Sequence, residues 1–159
     1  MKRYDVSNWL NLMEINNYFI HDDLTVDVFD SVCISYKKLE TIPVRFNRII
    51  GHFDCAGNEL TTLTNCPTHV EGNFFCYNNN LTSISDVPKY IGGLFSCYNK
   101  FLTKIDSLPE HYDNFCWYGR YAVSDIVGLR LINESEIAIN YIVNPTREMI
   151  TLHKMLWAV

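Results

Sequence analysis

Long hydrophobic runs are missing from this 159-residue chain. None approaches the roughly 20 apolar residues that span a bilayer, and the opening MKRYDVSNWL has neither the apolar core nor the small-residue cleavage site of a secretory signal. These absences lead to the expectation of a cytoplasmic protein with no membrane partner. Positive charge is also scarce. Thirteen Lys and Arg stand against eighteen Asp and Glu, for a formal charge of −5, and no basic patch offsets this, so a nucleic-acid partner is not expected. The chain lacks the Gly-x-x-x-x-Gly-Lys-Ser/Thr phosphate loop, the Gly-x-Ser-x-Gly elbow and the His-Glu-x-x-His zinc motif. No cofactor is therefore expected, and the chain reads as a non-enzyme. What it does have is 48% hydrophobic residues, enough for one packed unit rather than a disordered chain.

Those residues recur. CAGNELTTL begins at Cys55, CYNNNLTSI at Cys76 and CYNKFLTKI at Cys97, at intervals of 21 residues. The same register aligns Phe53, Phe74 and Phe95; Leu60, Leu81 and Leu102; Leu63, Ile84 and Ile105; Ile49, Val70 and Ile91; Gly51, Gly72 and Gly93; and Pro67, Pro88 and Pro109. Extended backward it meets Val28, Val32, Ile34, Leu39 and Ile42, a weaker first copy. Extended forward it reaches Phe115 one residue early, as a degenerate last one. The unit, apolar-x-Gly-x-Phe-x-Cys-x-x-Asn-x-Leu-Thr-x-Leu/Ile, is close to the core of leucine-rich repeats. It predicts an α/β solenoid whose coils stack about 4.8 Å apart as a short parallel sheet on one face. Asn58 and Asn79 would turn the chain where the strand stops. Lys100 replaces the third asparagine, leaving Asn99 to serve that unit.

Cys55, Cys76 and Cys97 share one inward slot in this scheme and read as small buried hydrophobes, with Cys66 also in the core. Zinc sites pair their ligands closely, so three cysteines in successive repeats are not expected to bind metal.

The ends differ from the middle. Residues 1–27 are predicted to form an N-terminal cap: a helix carrying Trp9, Leu10 and Met13, with Asp5 or Ser7 as N-cap, then the extended NYFI and LTVDVF. The solenoid proper covers 28–119. Residues 120–159 change to helical spacing, with Asn144 and Pro145 suited to a helix start, and form the expected helical C-terminal cap; Met155 and Trp157 there are a possible contact surface.

The stretch from Asn17 to Tyr118, including HFDCAGNELTTL and VEGNFFCYNNNLTSI, resembles short leucine-rich-repeat-like proteins of tailed phages and bacteria. AINYIVNPTREM is similar to one unit of an α-helical repeat found at the end of such proteins. The resemblance implies a phage-encoded binding module that inhibits a host protein, such as an antiviral defence component.

With Phe and Cys inward, the intervening residues face out. His52, Asp54, Phe75, Tyr77, Ser96, Tyr98 and Tyr118 then form the expected partner-binding lattice, because outward aromatic groups serve as anchors at protein interfaces. Two alternatives accompany this reading. Cys33, His52 and Asp54 could gather as a thiol, imidazole and carboxylate for nucleophilic catalysis, although no oxyanion site is evident. A structural, virion-associated role is the other. Homodimerisation through a sheet edge or the tail is also open.

Overall fold

The computed structural model describes residues 2–102 and 104–116; the expected helical tail over 120–159 and Tyr118 lie outside them. The chain opens with helix α1 (Arg3–Leu12), whose N-cap is Lys2 rather than Asp5 or Ser7. Asp5 falls in the first turn, where its carboxylate accepts the Lys2 backbone N–H at 2.7 Å and its charge suits the positive helix end. Val6 and Leu10, one turn apart, are buried, and Trp9 meets the Phe46 ring edge-on at 6.3 Å. The helix thereby closes the first end of the core. Strands β1 (Tyr18–Ile20) and β2 (Val26–Val28) follow as an antiparallel hairpin. Arg3 donates to the carbonyls of Ile20 at 2.6 Å and His21 at 3.1 Å, so the helix also covers hydrogen-bonding groups beside β1.

The coils carry β3 (Val32–Cys33), β4 (Phe46–Ile49), β5 (Phe53–Asp54), β6 (His69–Val70), β7 (Phe74–Phe75), β8 (Ser83–Ile84), β9 (Tyr90–Ser96), β10 (Lys104–Ile105) and β11 (His111–Cys116). Their pairing is parallel and keeps the 21-residue register. At one station Val28, Ile49, Val70 and Ile91 pair in succession; at a second, Val32, Phe53, Phe74 and Phe95; at a third, Ile84 pairs with Ile105. The first two stations merge through the seven-residue β9 into a mixed, mostly parallel nine-stranded sheet. The result is a β-solenoid of about four turns.

The sheet is thus not confined to one face, and the α/β description holds only at the cap: α1 is the sole helix among the described residues. A 21-residue coil that spends three stations on extended backbone and the rest on turns has no stretch left for the ~10 residues of an amphipathic helix. The early arrival of Phe115 appears as an irregularity in β11: Tyr112 pairs with Ile91, yet Asn114 pairs with Leu94 and Phe115 with Phe95. Asp113 alone spans the gap opposite Gly92 and Gly93, as at a β-bulge.

Inside, the Phe53 and Phe74 rings stack at 5.7 Å and 10°, and Phe74 meets Phe95 at 5.9 Å. Phe46, which stands where the later coils place Pro67, Pro88 and Pro109, packs edge-on to Phe53 at 5.2 Å. Cys55, Cys76 and Cys97 are fully buried, as are Leu60, Leu81 and Leu63, and Cys66 is buried as well.

Three buried asparagines tie coil to coil. Asn58 Nδ2 donates to the carbonyls of Ile34 and Cys55, while its Oδ1 accepts from the Lys37 and Leu39 amides. Asn79 Nδ2 donates to Cys55 O and Cys76 O, and its Oδ1 accepts from Leu60 N. Asn99, one residue ahead of the repeat register, does the same toward Cys76 O, Cys97 O and Asn79 N. Lys100 is exposed. Each amide satisfies backbone groups that would otherwise be buried without partners where the strand breaks off.

Candidate interaction face

The second station positions the expected site residues. Register places Cys33, Asp54, Phe75 and Ser96 opposite one another on β3, β5, β7 and β9. Cys33 is exposed, Asp54 and Phe75 are half-buried, and Ser96 is only 3% exposed. Ser96, flanked by β7 and β11 as Phe75 is by β5 and β9, has too short a side chain to reach the accessible face. Ala56, the neighbouring outward position of the second coil, is fully buried too. Tyr77 and Tyr98 are half-buried. The Phe75 and Tyr77 rings meet edge-to-face at 6.3 Å. Tyr36, which sequence reasoning did not select, is 68% exposed, and its ring lies over Gly57, whose φ of +66° and missing side chain both suit the approach.

Three polar side chains repeat at the corner between stations. Ser31 Oγ accepts the His52 amide at 3.0 Å, His52 Nδ1 accepts the Asn73 amide at 2.8 Å, and Asn73 Oδ1 accepts the Leu94 amide at 2.8 Å. Each bridges one coil to the next. A methyl group at Gly51, Gly72 or Gly93 would overlap Ser31 Oγ, His52 Nδ1 or Asn73 Oδ1 respectively. This packing accounts for the repeated glycine: it leaves room for the preceding coil's acceptor. The bond also fixes the neutral His52 tautomer with its proton on Nε2.

His52 therefore has a structural bond at one nitrogen. Asp54 Oδ1 accepts the Ala56 amide at 2.9 Å, and Cys33 Sγ lies 3.3 Å from Ser35 Oγ. No hydrogen bond joins Cys33, His52 and Asp54 to one another among the described residues. The thiols of Cys66 and Cys76 are pushed well up from the ordinary range, first by burial and then by neighbouring cysteines. Burial also raises the Tyr77 phenol, and the Asp54 carboxylate and Tyr36 phenol beside it add to the effect.

The first station carries a second outward column, at 48, 69, 90 and 111. Tyr90 stacks on His69 at 4.4 Å and 7° and on His111 at 4.7 Å and 12°. Glu71 accepts from both Arg48 and His69, which together hold its carboxyl below the ordinary range despite slight desolvation. No sequence motif singles out His69 or His111. The signal was the repeat itself, since they stand two periods apart with Tyr90 between them.

Among the described residues, no group of three or more His, Cys, Asp or Glu side chains gathers as a metal cage, and no helix is long and apolar enough to cross a membrane. The chain matches no family model, no curated protein and no solved structure.

Proposed function

We propose that the chain is a protein-binding module that takes its partner on the second-station face, with Asp54, Phe75, Tyr77 and Tyr98 in contact and His52 at the rim. The supporting observation is the outward Phe75 and Tyr77 pair, with Tyr36 beside it: partly open aromatic rings on a rigid sheet, where core packing alone does not call for them. Rigid strands hold such rings at little entropic cost on binding.

The leucine-rich-repeat-like resemblance narrows the proposal to a phage-encoded inhibitor of a host protein, working by occupation rather than turnover. Affinity purification of the tagged chain from host cells tests this. Tyr77→Ala is expected to lower recovery of a specific partner about tenfold or more, as loss of an interface anchor does, while the fold is retained. Equal recovery by the wild type and Tyr77→Ala would remove this face from consideration.

A further inference from the structure

The geometry points to a seat for an arginine side chain of the partner among Tyr36, Asp54, Phe75 and Tyr77. This rests on the strand-face reading above and adds the chemistry of what docks there. Four residues from three successive coils converge. Gly57 N donates to Tyr77 O and Tyr36 N to Ala56 O, so the segments bearing Tyr36, Asp54 and Tyr77 lie side by side in the coil stack. Asp54 pairs with Phe75 across β5 and β7, and Phe75 touches Tyr77 edge-to-face.

Among the described residues, Asp54 pairs with no lysine or arginine, unlike Asp22, Asp23 and Glu71, each of which has an arginine. Its one hydrogen bond among the described residues, from the Ala56 amide, engages Oδ1 and leaves Oδ2 without one. A half-open carboxylate flanked by aromatic rings attracts a cation through both its own charge and the negative ring faces. Arginine fits better than a metal ion, because one carboxylate is too few ligands. It fits better than lysine, because a flat guanidinium can lie on the exposed Tyr36 ring while its N–H groups reach Asp54. The net charge of −5 favours approach of a basic segment over an acidic one.

The test is an NMR titration of the whole chain with N-acetyl-arginine methylamide, using the uncharged citrulline analogue of nearly the same shape as control at matched ionic strength. Saturable shifts are expected at the Tyr36, Phe75 and Tyr77 ring signals and the Asp54 amide, with affinity at least about fivefold weaker for citrulline. Asp54→Asn keeps an oxygen for the Ala56 amide and so preserves the turn, yet is expected to weaken arginine binding by a similar factor. Equal shifts from both compounds, or shifts centred on other carboxylates, would overturn the arginine seat. In partner capture, loss with Tyr77→Ala but not with Asp54→Asn would overturn the seat alone and leave the strand-face reading standing. Retention with Tyr77→Ala would end the strand-face reading itself.

Discussion

Asn79 does the work of a strand where no strand can continue. The residue is 5% exposed, and its side chain serves four backbone groups on two coils. Aspartate has the same shape but no N–H, so it would set a buried carboxylate oxygen against the Cys55 and Cys76 carbonyls and leave each with a single amide donor, from Asn58 and Asn99 respectively. Because an unmet buried group costs about 1–3 kcal/mol and a charged one more, Asn79→Asp is expected to lower stability by about 3 kcal/mol or more in urea denaturation. A loss under about 1 kcal/mol would contradict the bridging role. A second prediction concerns Gly72. Its replacement by alanine forces His52 off the Asn73 amide and crowds the Gly51 carbonyl, an overpacking worth about 1–3 kcal/mol. In a His52→Ala background the same substitution should cost less, because one of the two obstacles is already gone; additive losses would show that Gly72 and His52 act independently.

At the scale of elements, the outer face of β2, β4 and β6 is held by carboxylates whose acidity depends on the fold. Burial alone would raise Asp27, but hydrogen bonds from Asn47, His21 and the Arg48 amide outweigh it and bring the carboxyl below its ordinary range. Glu71 is lowered by Arg48 and His69. In both, the folded value lies below the unfolded one, so the unfolded chain binds more protons as pH falls. Their stabilisation is therefore complete above the unfolded carboxylate range of about 4 and is lost as pH drops through the lower folded values. The melting temperature is expected to fall below about pH 4, and Asp27→Asn to flatten that decline; an unchanged slope in the variant would contradict the assignment.

Legibility at this scale followed the size of the signal. The N-terminal helix and the two extended segments after it were readable, because apolar spacing runs through all three. The helix start was not, since Lys2 is no cap-type residue and the work falls to Asp5 reaching back. The inward Phe and Cys columns and the role of Asn99 were visible in the repeat. The first and third strand stations were not, because two-residue strands such as His69–Val70 and Ser83–Ile84 are too short to show an alternation. Of the candidate site, Phe75 and Tyr77 lie where period two put them. Ser96 and Ala56 do not, because flanking strands and turns cover an outward side chain when it is small. Tyr36 was missed because it follows the strand, and its position depends on the bare backbone of Gly57 one coil later.

As a whole molecule, the described chain is a stack in which each coil supplies the next with ring contacts inside, amide bridges at the turns and polar bridges at the corners. Each unit buries its apolar side against its neighbours, so stability is shared along the stack and the outward positions of each coil remain available for recognition. The strand-face proposal depends on that partition: Phe and Cys within, the residues between them without. Brief labelling of the native chain with iodoacetamide, followed by peptide mass spectrometry, tests the partition most directly. Cys33 should be modified promptly, while Cys55, Cys66, Cys76 and Cys97 should stay protected until denaturant unfolds the coils, being buried, with the Cys66 and Cys76 thiols also held in the unreactive protonated form. Modification of Cys55, Cys76 and Cys97 in the native state at the rate of Cys33 would contradict the inward sulfur column, and with it the face assigned to the partner.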